Sequence, residues 1–292
     1  DSTTIRIPEG ETVERSFSLE RVVDTKGWIA SDPHTHTFTH SGHGDATVEE
    51  RVITLAGEGI ELPIATDHNV HVDYGPAARR TSVRQYFTPV IGNEVTTPVG
   101  HFNAFPIEKD SPVPPYDLNR WNPLLEGIWS TPGVEVVILN HGRDVHDGFR
   151  PFGPAHFNPV TGQNRDGWPV EYNAMEIVNS SAQQIDLMRL TRDWFALLNR
   201  GQAITPVGSS DGHDVNRYIV GQGRTYIRVP DGDPSEVPVD RAMDRLREGR
   251  VTVSEGLFAE LEIEHGVGPG ELAAVDGPVR VEARVQGPAW VR

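Results

Sequence analysis

The stretch that decides how this chain is read is Trp28-Ile29-Ala30-Ser31-Asp32-Pro33-His34-Thr35-His36. A short apolar run ends in a carboxylate and two imidazoles spaced one residue apart. Alternate side chains of a strand leave the same face, so His34 and His36 can grip one ion from a single rigid edge. The pattern then recurs down the chain. Leu62–Ala65 leads into Thr66-Asp67-His68, Pro89–Ile91 into Gly92-Asn93-Glu94, and Val134–Leu139 into Asn140-His141. Ala174–Val178 leads into Asn179, and Ala203–Val207 into Ser209-Ser210-Asp211-Gly212-His213. All six runs end in groups able to ligate a divalent metal. Asp211-x-His213 repeats the spacing of the first pair, and Glu94 is the natural bridging carboxylate between two ions.

Helical patterns separate several of these runs. Thr47 to Gly57 opens with a Thr47-x-x-Glu50 capping box. Ser181 to Arg200 carries Ile185, Met188, Phe195 and Leu198 on one stripe, with Leu187, Leu190, Trp194 and Leu197 beside it. Pro234 to Gly249 forms a third. Strands alternating with helices predict a largely parallel α/β sheet or barrel, in which the carboxyl ends of the strands converge on one face. The Pro- and Gly-rich connections 109–132 and 142–169 read as lids or substrate walls.

Three segments are expected. Residues 1–26 form an N-terminal β-segment, the edge of an accessory β-domain, because Ile5, Ile7, Val13, Phe17 and Leu19 alternate as in two short strands. Residues 27–258 form the catalytic unit. Residues 259–292 form a C-terminal β-segment, where Leu257–Ile263 and Val279–Val285 alternate; it is read as truncated at Pro288–Arg292.

Composition narrows the function classes. With 42 acidic and 26 basic residues the formal charge is −16, which opposes non-specific nucleic-acid binding. There is no cysteine, hence no disulfide, thiolate nucleophile or cysteine-ligated zinc. No apolar run approaches the ~18–20 residues of a membrane-spanning helix. Neither a signal peptide nor a transmembrane segment is read in the chain, so a soluble protein is expected, with its compartment left open and any targeting signal removed or never present. Of the 12 histidines, six fall between His34 and His71.

Taken in order, His34-x-His36, Thr66-Asp67-His68, Gly92-x-Glu94-Val95-Thr96, Asn140-His141 and Ser210-Asp211-x-His213 resemble the PHP (polymerase and histidinol phosphatase) metallohydrolases. Gly92–Thr97 followed by Gly100-His101-Phe102-Asn103, together with Leu139–Arg143, look closest to the CehA/McbA-like branch. The resemblance covers about Trp28 to Phe258. It implies a distorted (β/α)7 barrel with two or three divalent ions (zinc, manganese or iron). It also implies that His34, His36, Glu94 and Asp211 hold the first ion and that Glu94 and His141 hold the second. His68 and His213 would hold a third or alternative ion, and His101 matches a further ligand of some relatives. Asp67, beside His68, is kept as a candidate. Where some relatives place another histidine, the strand here ends at Asn179. His40, His43 and Asp45 compete for one more position, with Asp45 favoured.

The expected activity is ester hydrolysis of a small molecule by a metal-bound hydroxide. Asp211 or His213 would move the proton, and Arg143 or Arg150 would fork onto a phosphate or carboxylate. Tyr74 and Trp168 are candidate pocket walls. A phosphoesterase ranks first and a carbamate or carboxylic ester hydrolase second. An amidohydrolase-type barrel also opens with His-x-His, but the only lysines, Lys26 and Lys109, are badly placed to supply its carboxylated-lysine bridge. A non-catalytic metal-binding scaffold is the reading from a different class.

Overall fold

The computed structural model describes residues 4–17, 22–182 and 186–288. The first strand, β1 (Ile29–Thr35), is buried along its whole length, as a strand covered on both faces must be. One helical turn, α1 (Phe38–Ser41), follows, and then α2 (Val48–Gly57), which begins with the expected capping box between Thr47 and Glu50. Next come β2 (Leu62–Ala65), α3 (Gly75–Arg80), β3 (Val90–Ile91), β4 (Asn93–Thr97) and β5 (Gly100–Phe105). The middle holds α4 (Trp121–Trp129), β6 (Val136–Leu139), the small pair β7 (Phe157–Asn158) and β8 (Gln163–Asn164), and β9 (Ala174–Asn179). The chain continues through α5 (Leu187–Asn199), β10 (Thr205–Ser209), β11 (Arg224–Ile227), α6 (Val239–Arg247) and β12 (Val251–Ser254). It ends in β13 (Phe258–Ile263) and β14 (Val281–Gln286).

The distorted (β/α)7 barrel expected from the resemblance is not what forms. Among the described residues the strands make two five-stranded sheets, β12-β11-β1-β2-β3 and β10-β9-β6-β5-β4, plus two hairpins, and none closes into a barrel. The reason is strand direction. A (β/α) barrel needs every strand parallel to its neighbour, with a helical crossover between them. Here β4 and β5 are joined by the tight link Pro98-Val99 and pair antiparallel, as do β5 with β6 and β1 with β11.

The two sheets share one apolar cluster. Ile29, Leu62, Ile64 and Val90 of the first meet Phe105, Ile138, Ala174 and Val207 of the second. Helices α2 and α3 cover the first sheet through Val52, Leu55 and Ala78, while α4 and α5 cover the second through Trp121, Leu124, Leu190 and Leu197. The chain crosses from one sheet edge to the other at Gly92, where an added Cβ would lie 2.9 Å from Ile64 Cγ2. A second junction joins β1 to the end of β10: Asp211 N–H donates to His34 O at 2.9 Å, and His36 N–H to Gly212 O at 3.1 Å.

Other expectations divide. The six apolar runs become β1, β2, β3, β6, β9 and β10, and the closing alternation becomes the β13–β14 ribbon. The opening alternation forms no strand in residues 4–17 or 22–26: Ile5, Ile7 and Phe17 stay exposed and no strand pairs with them. Leu19, Ile185 and the last four residues lie outside the described residues. Helix α5 begins at Leu187, capped by the Asp186 side chain, and buries only the second of the two expected stripes; Met188, Phe195 and Leu198 face out. The stretch 109–132 is not all loop, since it contains α4.

One buried cation joins α2 to both strand ends of the second junction. Arg51 is fully buried; its Nε donates to His36 O at 2.7 Å, and one terminal nitrogen donates to Gly212 O at 2.8 Å and Asp214 O at 3.3 Å. Arg51→Met should lower unfolding stability by on the order of 3 kcal/mol, because buried carbonyls lose their donor. Urea unfolding followed by circular dichroism measures this, and a loss below about 0.5 kcal/mol would refute the linking role.

Candidate metal centre

The strand ends on either side of these junctions carry the ionisable groups. Glu94, at the start of β4, is completely buried, and a parallel bridge sets it beside His68, just past β2. Around its carboxylate stand five imidazoles. Oε1 lies 3.3 Å from His34 Nε2, 3.1 Å from His101 Nδ1 and 3.3 Å from His141 Nε2. Oε2 lies 2.6 Å from His68 Nδ1 and 3.5 Å from His36 Nε2. Asp211 faces Glu94 across the group, with Oδ1 3.3 Å from His34 Nε2 and 3.2 Å from His36 Nε2. His213 stacks on His36 at 4.0 Å and puts its Nε2 3.4 Å from His68 Nε2.

These contacts have the character of a ligand set. His34 Nε2 and His36 Nε2 are buried and make no hydrogen bond, although carboxylate oxygens stand close by. Donors held ~2.0–2.2 Å from one ion stand roughly 3–3.5 Å apart, which is the spacing seen here. Four overlapping groups bring donors within 4.8 Å of one another: His34/Glu94/His141, His34/His36/Asp211, His36/His68/His213 and His101/His141/His146. Buried His, Glu and Asp groups thus lie close enough to hold a metal ion.

Protonation fits the same role in most positions. Burial opposes charge on Glu94 and Asp211, but the surrounding imidazoles, His34 first, hold both carboxyls below the usual range. Burial, reinforced by His213 and His68, holds His36 well below the usual range, as a neutral donor. Three imidazoles differ: burial pushes His34, His68 and His141 down, yet Asp211, Glu94 and Glu176 hold His34 well above the usual range, Glu94 raises His68, and Glu94, Asp211 and Glu176 carry His141 up to about 9.

Several buried groups hold the donors in place. Glu176, in the middle of β9, accepts from His34 Nδ1 at 2.7 Å, from the His141 backbone N–H at 2.6 Å, and from Ser209 Oγ. Asn140 Nδ2 donates to Glu94 Oε1 at 3.0 Å. Asp32 ties β1 to the far side of the site by accepting from the backbone N–H groups of Ser210 (3.0 Å) and Gly221 (2.7 Å). His141 and Asp211 have φ of +24° and +52°, uncommon for residues other than glycine, and such strain costs ~1–3 kcal/mol each.

Eight of the ten residues expected as ligands come together: His34, His36, His68, Glu94, His101, His141, Asp211 and His213. Two do not. Asp67 is buried as a brace, accepting from Thr37 N–H at 2.7 Å, Ser41 Oγ at 2.8 Å and Tyr74 O–H at 3.3 Å. Asp45 is exposed and accepts from Val215 N–H at 2.6 Å. Of the three competitors His43 comes nearest, stacking on His213 at 4.3 Å and His68 at 4.9 Å, while His40 is exposed on α1. The Asp45 segment lies against His213 because Gly44, at φ +83°, has no Cβ; one would meet His213 O at 2.4 Å.

Arg143 is not free to meet a substrate. Its Nε and a terminal nitrogen donate to buried Asp193 at 2.7 and 2.9 Å, which ties the loop after β6 to α5. The Arg150 Nε is buried without a hydrogen-bond partner. Tyr74 donates its O–H to Asp67, and Trp168 stacks on Phe149 and meets Trp121 at a tilt.

Two contributors went unread in the sequence, Glu176 and His146. A carboxylate inside the apolar run Ala174–Val178 was the available signal for Glu176, since a buried charge needs a partner. For His146 it was the turn-forming pair Asp147-Gly148 that follows it.

Two outcomes are expected. Glu176→Gln should weaken divalent-metal binding about 10–100-fold, as loss of a partner behind a ligand does, measured by competition with a chromogenic chelator. Metal binding at pH 7 should also release protons, and affinity should climb with pH until His141 is neutral above about 9. Calorimetry in buffers of different ionisation heat reads this release; a heat independent of buffer would contradict it.

No protein-family model matches the chain, and no curated protein matches it.

Proposed function

We propose that the chain is a metal-dependent hydrolase of small esters, phosphoesters first, with two or three divalent ions (zinc, manganese or iron) in this centre. The observation that carries the reading is the convergence of donors on Glu94 and Asp211 at a rim open to solvent. The Glu94 side chain is 1% exposed and that of His34 0%, whereas Asp211, His101, His213 and His68 show 14%, 17%, 17% and 21%. A purely structural site closes all its positions with protein ligands, while a hydrolytic one leaves some for water. Divalent ions held here would lower the pKa of a bound water toward ~7 and polarise the ester oxygen.

The chain's own groups then have definite tasks. Glu94 and Asp211 supply the negative charge that holds the cations. Glu176 orients His34 and the backbone of His141. His213 Nδ1 donates to the Asp211 carbonyl oxygen at 2.9 Å, which leaves Nε2 as its acceptor atom. Asp211 and His213, both at the solvent rim, are the groups placed to take and return a proton.

A second reading, carbamate or carboxylic ester hydrolysis, is favoured by one observation. The Arg143–Asp193 pair removes one of the two cations expected to fork onto a phosphate. Assays of metal-loaded protein against p-nitrophenyl phosphate, bis(p-nitrophenyl) phosphate and 1-naphthyl carbamate separate the two. Phosphoester turnover is expected, and turnover of the carbamate alone would reverse the order. His36→Ala should reduce turnover at least ~100-fold with loss of metal. Metal binding without turnover of any ester would leave the scaffold reading.

A further inference from the structure

We propose that His146 joins His101 and His141 to form a separate, all-imidazole cation site at the edge of the centre. The inference rests on the reading of the centre as metal-binding, and it assigns a ligand that the strand-end pattern does not contain.

The local sequence explains how His146 reaches the site. In His146-Asp147-Gly148-Phe149 the two central residues have φ of +46° and +87°, the left-handed pair that a tight two-residue turn of the mirror-image class requires. His146 and Phe149 exchange backbone hydrogen bonds at 2.7 Å in each direction, which fixes the turn. Val145 on one side faces solvent, while the His146 ring turns inward and is 9% exposed. It lies 4.1 Å from the His101 ring and 5.1 Å from that of His141, and the donor atoms of the three fall within 4.8 Å of one another. His146 Nε2 and His141 Nδ1 are both buried with no hydrogen-bond partner. Two buried nitrogens without a hydrogen-bond partner, on rings whose donor atoms lie this close together, are what a shared cation would satisfy.

Asn179, at the end of β9, is committed elsewhere. Its Nδ2 donates to Glu176 Oε2 at 2.9 Å and Asp211 Oδ2 at 3.3 Å, and its Oδ1 accepts from the N–H groups of Ser181 and Ala182. His146 supplies the third imidazole from the loop after β6. A set of three imidazole nitrogens, with His141 giving up its proton to the ion, suits zinc, copper or nickel and disfavours magnesium or manganese, which prefer oxygen ligands. The Glu94–Asp211 core, rich in carboxylates, accepts either class.

The test uses the full chain and compares wild type with His146→Ala and His146→Phe; the phenylalanine keeps a stacked ring but has no donor atom. After equilibration with zinc and removal of free ion, metal equivalents are counted by mass spectrometry. Cobalt substitution then reads the ligand field at each site. Both variants are expected to hold one equivalent fewer than wild type and to lose one component of the cobalt spectrum. With manganese, wild type and variants should hold the same number. If His146→Phe keeps every zinc equivalent and an unchanged cobalt spectrum, His146 is a packing residue and this inference falls while the metal centre stands. If wild type itself retains no metal, the metal reading falls too.

Discussion

Everything at this end of the molecule is arranged around a carboxylate that cannot reach water. Glu94 is fully buried between two sheets, and an ionised group in that position needs compensating charge and directed donors. The fold supplies both: imidazoles from four separate chain segments crowd its oxygens, and Asn140 donates an N–H. Glu176, also buried, and Asp211, partly exposed at the rim, add further negative charge within the same few ångströms. These carboxylates hold three of the surrounding imidazoles, His34, His68 and His141, above the usual range, while burial keeps His36, His101 and His213 below it. Three carboxylates matched by imidazoles that can give up their protons, with neutral nitrogens beside them, form an environment in which a cation can take the protons' place.

Holding such a set together takes a supporting structure of its own. Arg51 grips the carbonyls on both sides of the β1–β10 junction, Asp32 collects backbone donors from the opposite strand end, and Asp67 collects Thr37, Ser41 and Tyr74. None of these three reaches the donors directly. They satisfy the polar backbone where two sheets meet without a continuous ladder, a place where unpaired carbonyls and amides would otherwise be costly. The left-handed backbone at His141 and Asp211 persists for the same reason: Glu176 takes the His141 N–H and the His34 carbonyl takes that of Asp211.

The strand-end pattern made most of the site legible in advance, because ligand type and spacing are local properties. His34-x-His36 needed only the two-residue period of an extended chain, whereas Asp211-x-His213 lies past the end of β10, where Asp211 has a left-handed backbone. Where the reading went astray, tertiary context was the cause. Asp67 sits beside His68 in sequence, but its side chain turns to the α1 turn. Arg143 follows His141 by two residues, yet Asp193 from α5 claims it. The barrel expectation failed on strand direction: Gly100–Phe105 doubles back on Asn93–Thr97 through two residues, and the antiparallel pairing that results breaks the parallel sequence a barrel needs.

What the sequence by itself determined, then, is the inventory: six apolar runs that become strands, a capped helix over Val48–Gly57, and donors at the strand ends. Periodicity and capping act within a few residues, so they can be read without knowing the fold. Only the tertiary structure decided which donors meet, that two sheets rather than a closed barrel bring them together, and that Glu176 and His146 belong to the group. Those outcomes depend on pairing and packing between segments far apart in the chain, such as the Ser210 and Gly221 amides on Asp32, 178 and 189 residues away, and no local pattern encodes them.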